Sequence, residues 1–328
     1  MLERGGRGVE KRFGVNIMNT DDVKEVCAGS IGGALATVVE YPLDTIKVRL
    51  QDDPSRYRGS LSCITEIARL EGFINGFFKG LPAPVIGAAV ENATLFCTYR
   101  VAINGIQDVF YKKRFEADTE PYSVVFSAAA IGGIVVSHAL TPAELIKCKM
   151  QVQNTLPEHK RALKNSLHCA VSIYRSSGVR GLYKGHVSML ARETIGCGVY
   201  FLTFQWVIRN MLHEGQSFAE ASPFVHFLGG GCAGVVFWTS IYPIDALKTK
   251  IQTGKGGYGE LSFVRGMMQL YMREGMRGCM RGYTVTALRA FPGNAVLIAV
   301  YEKVNLLWEM SHRSRCTSVC SASCVGST

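Results

Sequence analysis

Hydrophobic positions along this chain are grouped into six long stretches separated by shorter polar segments. The stretches predict long helices over residues 24–51, 81–107, 123–151, 186–212, 224–252 and 283–308. Each is longer than the roughly 20 residues that cross a bilayer as a helix. Three of the polar segments each predict a short amphipathic helix. The pattern therefore predicts an all-α membrane protein with six transmembrane helices and three short helices.

The first, third and fifth long helices end in the same motif. Its copies are PLDTIKVRLQ from Pro42, PAELIKCKMQ from Pro142 and PIDALKTKIQ from Pro243. Each copy places an acid two positions after the proline, basic residues five and seven positions after it, and glutamine nine positions after it. Because the copies recur at one period of about a hundred residues, the chain is a threefold repeat.

Two further features recur with the motif. Nine residues before each proline lies a glycine that belongs to a stripe of small residues, a spacing that lets helices approach closely. Further along each repeat, a basic residue is followed by a glycine, which we call the marker glycine, at the start of the next long helix. The stripe glycines are Gly33, Gly133 and Gly234, and the marker glycines are Gly80, Gly185 and Gly282.

The repeats divide the chain into five segments. A polar arm over residues 1–21 precedes repeat 1 (22–118), repeat 2 (119–218) and repeat 3 (219–310). The Ser- and Cys-rich tail over 311–328 is expected to be disordered. The arm has no apolar stretch of the kind found in a secretory signal.

Composition agrees with a membrane protein, because 48% of residues are hydrophobic and only 19% are charged. The net charge of +10 suits anionic lipid head groups or anionic solutes. No zinc finger, basic zipper or RNA-binding pattern accompanies the basic residues, so nucleic acid is not an expected partner. The eleven cysteines form no CxxC pair and have no histidine at ligand spacing. Neither a metal, a disulfide framework nor another cofactor is expected.

The three P-x-[DE]-x-x-[KR]-x-[KR] motifs, the glycine stripe and the marker glycines together resemble the mitochondrial carrier family over about residues 22–310. The resemblance implies a threefold pseudo-symmetric barrel of six helices around one cavity, with the three short helices on the matrix side. It implies a monomer in the mitochondrial inner membrane, with both termini toward the intermembrane space, that carries a small molecule by alternating access. Family members in peroxisomes leave the organelle open.

The motif charges have a physical reason to pair. A charge inside a bilayer costs about 2.5 to 3.5 kcal/mol on insertion scales unless it finds a partner or water. A proline bends its helix, so that helices can converge and bring such charges together. The resemblance implies a matrix gate made of the pairs Asp44 with Lys147, Glu144 with Lys248, and Asp245 with Lys47, braced by Gln51, Gln151 and Gln252. Pairs that only stabilise assembly are the alternative, but permanent pairs would leave no exit.

The opposite ends of the second, fourth and sixth long helices carry few charges. One bridge, between Arg100 and Glu302, is the predicted cytoplasmic gate. We expect so weak a gate to favour the outward-open state or to open quickly.

Positions that break the threefold likeness inside the helices are the candidates for substrate binding, because a transported solute is itself asymmetric. Counted from the marker glycines, the charged residues of this kind are Glu91, Arg192, Glu193 and Arg289. A charged residue at such a depth is a functional candidate. Internal salt bridging without a ligand is the alternative.

Two guanidiniums and two carboxylates suit a zwitterion that carries an additional balanced or exchangeable charge. An α-carboxylate fits the forked guanidinium of Arg289, with Arg192 as the alternative. An α-ammonium fits Glu193, and Glu91 is placed to hold a second cation.

These positions also resemble the amino-acid carriers, and most of all the ornithine and basic amino-acid branch. The strings are Glu91-Asn-Ala-Thr-Leu-Phe, Arg192-Glu193 and Arg289-Ala-Phe-Pro. The resemblance implies exchange of ornithine for a proton or for citrulline, lysine or arginine. Acylcarnitine carriers share the Arg-acid pair and the Arg-Ala-Phe-Pro string and are the alternative, although they need no acid at the position of Glu91.

Other classes are weaker. No Ser-His-acid order, phosphate loop or metal-ligand spacing indicates an enzyme, and a soluble helical scaffold would need polar outer helix faces. The resemblance implies cardiolipin at the exposed amides beside the marker glycines Gly80, Gly185 and Gly282. His138 is interpreted as a histidine bonded to a backbone carbonyl, with proton relay as the alternative. Trp206 and Trp238 are interpreted as packing or interface anchors.

Overall fold

The computed structural model describes residues 20–52, 59–78, 81–112, 115, 119–154, 163, 165–212, 218, 221–253, 255–280 and 282–325. The six long helices are α1 (Thr20–Asp52), α4 (Pro82–Ile106), α5 (Tyr122–Asn154), α7 (His186–Met211), α8 (Pro223–Thr253) and α10 (Tyr283–Val325). The shorter helices are α2 (Ser60–Leu70), α3 (Phe73–Phe77), α6 (Ser166–Leu182) and α9 (Phe263–Cys279). A π-helical turn over Gln107–Tyr111 extends α4, and a 3-10 segment over Lys255–Glu260 follows α8. The described part of the chain is thus all-helical, as predicted.

The six long helices form a closed ring. In order around it, α1 packs on α4, α4 on α5, α5 on α7, α7 on α8 and α8 on α10, and α10 returns to α1. Each repeat supplies one adjacent pair, which is α1 with α4, α5 with α7, or α8 with α10. Helix α5 also contacts α8, which is not its neighbour in the ring. The motif-bearing helices therefore converge.

The stripe glycines lie at the contacts within each repeat, which confirms that the stripe is a helix-packing surface. A Cβ atom at Gly33 would overlap the side chain of Asn92 on α4, and one at Gly133 would overlap the backbone of Glu193 on α7. At Gly234 it would lie 2.7 Å from the Cβ atom of Ala290 on α10. At Gly133, where the overlap is with backbone atoms, only glycine allows the two helices to come this close.

The motif prolines lie inside their helices, which continue to the end of the motif. A proline has no N–H to donate, so the carbonyl four residues earlier needs another partner. In α5 this carbonyl belongs to His138, and the hydroxyl of Tyr183 donates to it at 3.3 Å. The short connection between α6 and α7 is thus tied to the middle of α5.

The short helices cover the motif-bearing ends of the long ones. Cys63 and Ile67 of α2 share a buried cluster with Ile46 and Leu50 of α1. The corresponding clusters of repeats 2 and 3 place α6 and α9 against α5 and α8. We find the three short amphipathic helices where the sequence predicts them.

Four described helices are long and apolar enough to cross a membrane. Their candidate spans are Val26–Lys47, Tyr122–Met150, Pro223–Gln252 and Tyr283–Val300. The other two long helices, α4 and α7, have 25 and 26 residues.

The C-terminal part of α10 extends further than the sequence predicted. The helix continues to Val325, through most of the segment that was expected to form a disordered tail. No proline or glycine occurs between residues 311 and 325, and Gly326 follows directly, so nothing in the sequence stops the helix earlier. Residues 1–19 of the predicted arm lie outside the described residues.

Candidate functional site

Two interhelical ion pairs join the motif-bearing helices. Lys248 Nζ on α8 lies 2.8 Å from Glu144 Oε2 on α5, and Lys47 Nζ on α1 lies 2.9 Å from Asp245 Oδ2 on α8. Both lysines are buried. Loss of one partner would be costly here, because it would leave an uncompensated charge away from water. The structure thus places the side chains of two of the three implied gate pairs together.

The third implied pair, Asp44 with Lys147, is not formed in the structure. Asp44 on α1 instead contacts Nη1 of Arg289 on α10. Lys147 lies 3.4 Å from Glu144, three residues earlier on its own helix. Arg289 and Lys147 are both possible partners for Asp44. The sequence did not reveal the first of these, because Arg289 belongs to a different repeat from Asp44. The implied pairing is therefore corrected at this corner.

Of the three glutamine braces, the structure describes the side chain of Gln252. Gln252 is 1% exposed, and neither its amide nitrogen nor its amide oxygen has a hydrogen-bond partner among the described residues. The side chains of Gln51 and Gln151 lie outside the described residues. The brace role stays a prediction.

Arg192 and Glu193 link the middle of α7 to the motif residues. The guanidinium of Arg192 donates to the carboxylate of Glu193, and its Nε lies 3.3 Å from Oδ1 of Asp245. Glu193 is 2% exposed. Asp245 therefore receives both a gate lysine and a candidate substrate-binding arginine, which connects the two predicted groups of residues.

Arg289 is surrounded by side chains that the sequence did not indicate. Its guanidinium carbon lies 4.7 Å from the centre of the Trp238 ring, and its Nε lies 3.8 Å from Oε2 of Glu40. Lys47 Nζ also lies over the Trp238 ring, at 4.5 Å from its centre. Trp238 thus packs as an anchor, as interpreted from the sequence, but it anchors two cations.

Glu40 is the acidic residue that the sequence interpretation missed. It lies two residues before the motif proline, where repeats 2 and 3 have Leu140 and Ile241. The same search for broken threefold likeness would have found it, had it been extended from the α4, α7 and α10 register to the motif-bearing helices.

Glu91 differs from the other three candidates because it has no ion pair or hydrogen bond with any residue that the structure describes. The residue as a whole is half-buried. The charged groups that act on it electrostatically include Arg192, Glu193, Glu144 and Lys147. A carboxylate without a bonded partner therefore lies beside the ion-pair network.

The predicted cytoplasmic bridge stays a prediction. Arg100 is exposed, and the side chain of Glu302 lies outside the described residues.

A different polar cluster lies at the same end of the ring, between repeats 1 and 2. The amide nitrogen of Gln107 donates to Oε1 of buried Glu120 at 3.1 Å, and Arg209 donates to the backbone oxygen of Glu120 at 2.7 Å. Burial raises the pKa of the Glu120 carboxyl, and this outweighs the opposing hydrogen bond from Gln107.

The remaining predicted residues have plainer surroundings. Nδ1 of His138 lies 2.8 Å from the carbonyl oxygen of Ile134, which agrees with the interpretation of a histidine bonded to a carbonyl. Gly185 and Gly282 adopt positive φ values of 81° and 84° before α7 and α10, and Gly80 lies outside the described residues. Within the described ranges, no group of three metal-ligating side chains occurs.

Comparison with known proteins places this arrangement in context. The family model described as "Mitochondrial carrier protein" matches residues 20–109, 118–215 and 219–312. A mitochondrial substrate carrier family protein of Dictyostelium discoideum is 36% identical over 287 residues, covering 86% of this chain and 96% of the relative. The human mitochondrial carnitine/acylcarnitine carrier protein is 33% identical, over 85% of this chain and 92% of the relative. A mitochondrial arginine transporter of Arabidopsis thaliana is 30% identical over the same shares of the two chains.

Proposed function

Since this chain belongs to the mitochondrial carrier family, a family of transporters and not enzymes, we propose that it exchanges basic amino acids through one central site. Membership makes it a multi-pass protein of the mitochondrial inner membrane that carries a small molecule. It also excludes the soluble scaffold considered from the sequence. The proposal concerns the substrate and the way in which the site binds it.

The observation that carries the proposal is the unpartnered carboxylate of Glu91 inside the ring of helices. An ionised group in the interior of a membrane protein is costly unless a counter-charge or water meets it. Every described cation of the site already contacts a carboxylate, so the natural counter-charge for Glu91 is one that arrives with the ligand. Of the ligands implied by the resemblance, those with a cationic side chain provide it.

The other site residues then take the α-carbon groups of the ligand. The α-carboxylate binds the guanidinium of Arg289, with Arg192 as the alternative, because the planar fork matches a carboxylate. The α-ammonium binds Glu193, and the side-chain cation binds Glu91. Ornithine, lysine and arginine fit this arrangement, and citrulline or a proton serves as the counter-substrate.

The relatives support two substrate classes to different degrees. One relative is named for arginine transport, which agrees with a basic ligand. Others are named for carnitine and acylcarnitine, which carry a quaternary ammonium and no second free cationic group. The carboxylate of Glu91 favours the first class.

Transport requires that the interhelical pairs open in turn, and we propose that all six long helices cross the membrane as a threefold pseudo-symmetric barrel. The pairs Lys248 with Glu144 and Lys47 with Asp245 act as the matrix gate, and Arg100 with Glu302 acts as the cytoplasmic gate. The carrier works as a monomer with both termini toward the intermembrane space. Cardiolipin binds at the amides beside Gly80, Gly185 and Gly282, since helix starts attract phosphate.

The test is uptake by liposomes that contain the purified protein and are loaded with unlabelled arginine. We expect uptake of labelled arginine, ornithine and lysine, and we expect Glu91→Ala to lower arginine uptake by at least about tenfold through loss of a charge contact. Glu66→Ala on α2, outside the ring, is the matched control. Uptake of labelled carnitine esters by liposomes loaded with carnitine, with no uptake of arginine by liposomes loaded with arginine, would contradict the proposal.

A further inference from the structure

We propose that Glu40 determines the net charge of the transported molecule, so that a ligand of charge +1 is preferred over a neutral zwitterion. This inference rests on the proposed exchange of amino acids and adds a specificity-determining residue on α1 to the site.

The position of Glu40 breaks the threefold likeness of the motif-bearing helices. Its counterparts Leu140 and Ile241 are apolar and only 6% and 0% exposed. Two of the three repeats thus use this position for packing between helices. An acid at the third is costly to bury without a partner, so the substitution calls for an explanation other than packing.

The partner helix provides a slot for the Glu40 carboxylate. A Cβ atom at Gly293 on α10 would overlap Oε1 of Glu40, so a side chain at position 293 would displace the carboxylate from the place it occupies. Gly293 lies eleven residues after its marker glycine, in the same register as Glu91 of repeat 1. Glu40 therefore brings a second carboxylate to the level of Glu91, from a neighbouring helix.

The corresponding position of repeat 2 is filled differently. Gly196 has the same register, and a Cβ atom there would meet the ring of Phe237. An apolar ring fills the space at this level in one repeat and a carboxylate fills it in another. The asymmetry is therefore one of charge and not only of shape.

The charges of the site make the role of Glu40 specific. The ion-pair network and the neighbouring Glu91 together contain five cationic side chains and six carboxylates, so the formal charge of the site is −1. The cations are Lys47, Lys147, Arg192, Lys248 and Arg289, and the carboxylates are Glu40, Asp44, Glu91, Glu144, Glu193 and Asp245.

Without Glu40, these groups would sum to zero and would suit a zwitterion. Glu40 itself is held loosely, since its described ion pair is the 3.8 Å contact with Arg289, whose nearer partner is Asp44. When the α-carboxylate of the ligand binds Arg289, this weak contact is the easier one to give up. The negative charge of Glu40 then remains in the site and is balanced by a ligand that carries one excess positive charge.

The experiment compares arginine with citrulline, which is almost the same size but has a neutral urea group in place of the guanidinium. In liposomes containing the full chain, KM is measured for both amino acids. We expect the preference for arginine over citrulline, as the ratio of uptake efficiencies, to fall roughly 10- to 100-fold in Glu40→Gln. Glu40→Asp keeps the charge and is expected to retain the preference within a few-fold. Glu66→Gln is the control for loss of a glutamate outside the ring.

The outcomes separate the two proposals. If the parent protein takes up arginine but Glu40→Gln reduces arginine and citrulline uptake equally, Glu40 only positions Arg289, and the inference is overturned while the proposed function stands. If the parent takes up neither amino acid, both are overturned. If Glu40→Gln does not fold, as judged by its thermal unfolding, a loss of arginine preference in Glu40→Asp at normal uptake of citrulline would overturn the inference.

Discussion

Among the described residues, a short ion pair joins α5 to α8 and another joins α8 to α1, whereas none joins α1 to α5. At the first two, lysine and carboxylate lie 2.8 and 2.9 Å apart. At the third, Asp44 contacts Arg289 and Lys147 contacts its own helix. We call a junction with such an ion pair a closed corner and the junction between α1 and α5 the open corner. The same motif therefore gives two closed corners and one open corner.

The difference teaches that an identical motif does not guarantee an identical contact. Asp44 has a second cation within reach, because Arg289 occurs in repeat 3 at a position where repeat 1 has Gly87. The fork of a guanidinium makes a better partner for a carboxylate than a lysine does. The arginine alone does not break the lysine pair, because Arg192 has the same register in repeat 2 and contacts Asp245, which still pairs with Lys47. Where α1 faces α5, Lys147 instead contacts Glu144 on its own helix.

The largest expected effect comes from exchanging charges at a closed corner and at the open one. Glu144→Lys or Lys248→Glu alone should lower the thermal midpoint strongly, since breaking a buried pair costs about 3 to 5 kcal/mol. The double exchange at these positions should recover only part of that loss, because a lysine at position 144 would pair with the new glutamate but would also lie beside Lys147. The double exchange of Asp44 and Lys147 should not recover, because a lysine at position 44 would face Arg289.

The measurement is the thermal unfolding of purified protein in detergent, analysed as two double-mutant cycles. Equal coupling at the two corners would mean that Asp44 and Lys147 do pair and that the comparison is wrong.

A smaller effect is expected from Trp238, which lies between the closed corner of Lys47 and the open corner of Arg289. Trp238→Phe weakens two cation–π contacts, each of about 0.5 to 2 kcal/mol. The midpoint should fall by more than it does for Trp206→Phe, where the ring is 56% exposed. Equal thermal midpoints for the two variants would show that the Trp238 ring contributes only its volume and no cation–π contact.

The smallest effect concerns Glu120, which connects repeat 1 to repeat 2 at the other end of the ring from the motif charges. Because burial raises the pKa of Glu120, the folded state keeps a proton that the unfolded state loses as pH rises above the usual glutamate range. The stability that this group contributes is therefore present at low pH and is lost as pH rises through the raised pKa.

Glu120→Gln should remove this part of the pH dependence, so the variant gains stability relative to the parent as pH increases. The check is the thermal midpoint of both proteins across a pH series, with Glu66→Gln as control. A constant difference between parent and variant would contradict the assignment.

Much of the fold follows from sequence because repetition strengthens each local signal. The motif prolines, the stripe glycines and the short amphipathic helices occur three times, and the structure has a helix or a close contact for each. The ring order of the helices could not be read from any one repeat, since it depends on contacts between repeats.

The candidate site was less predictable. Arg192, Glu193 and Arg289 were found because they break the repeat. The structure joins the two arginines to motif carboxylates and joins Glu193 to Arg192. Glu40 and Trp238 lie outside the register in which the repeats were compared. Their contacts with Arg289 arise from helices far apart in the chain, and no local pattern records such a meeting.

The tight fit of Glu40 against Gly293 also links the evolutionary histories of two distant positions. As long as a glutamate occupies position 40, a larger residue at 293 has to push the glutamate carboxylate aside. Once position 40 becomes small, the space becomes a void that a larger side chain from α10 could fill with benefit. The order in which two such mutations appear would then decide which descendants of this transporter are reachable.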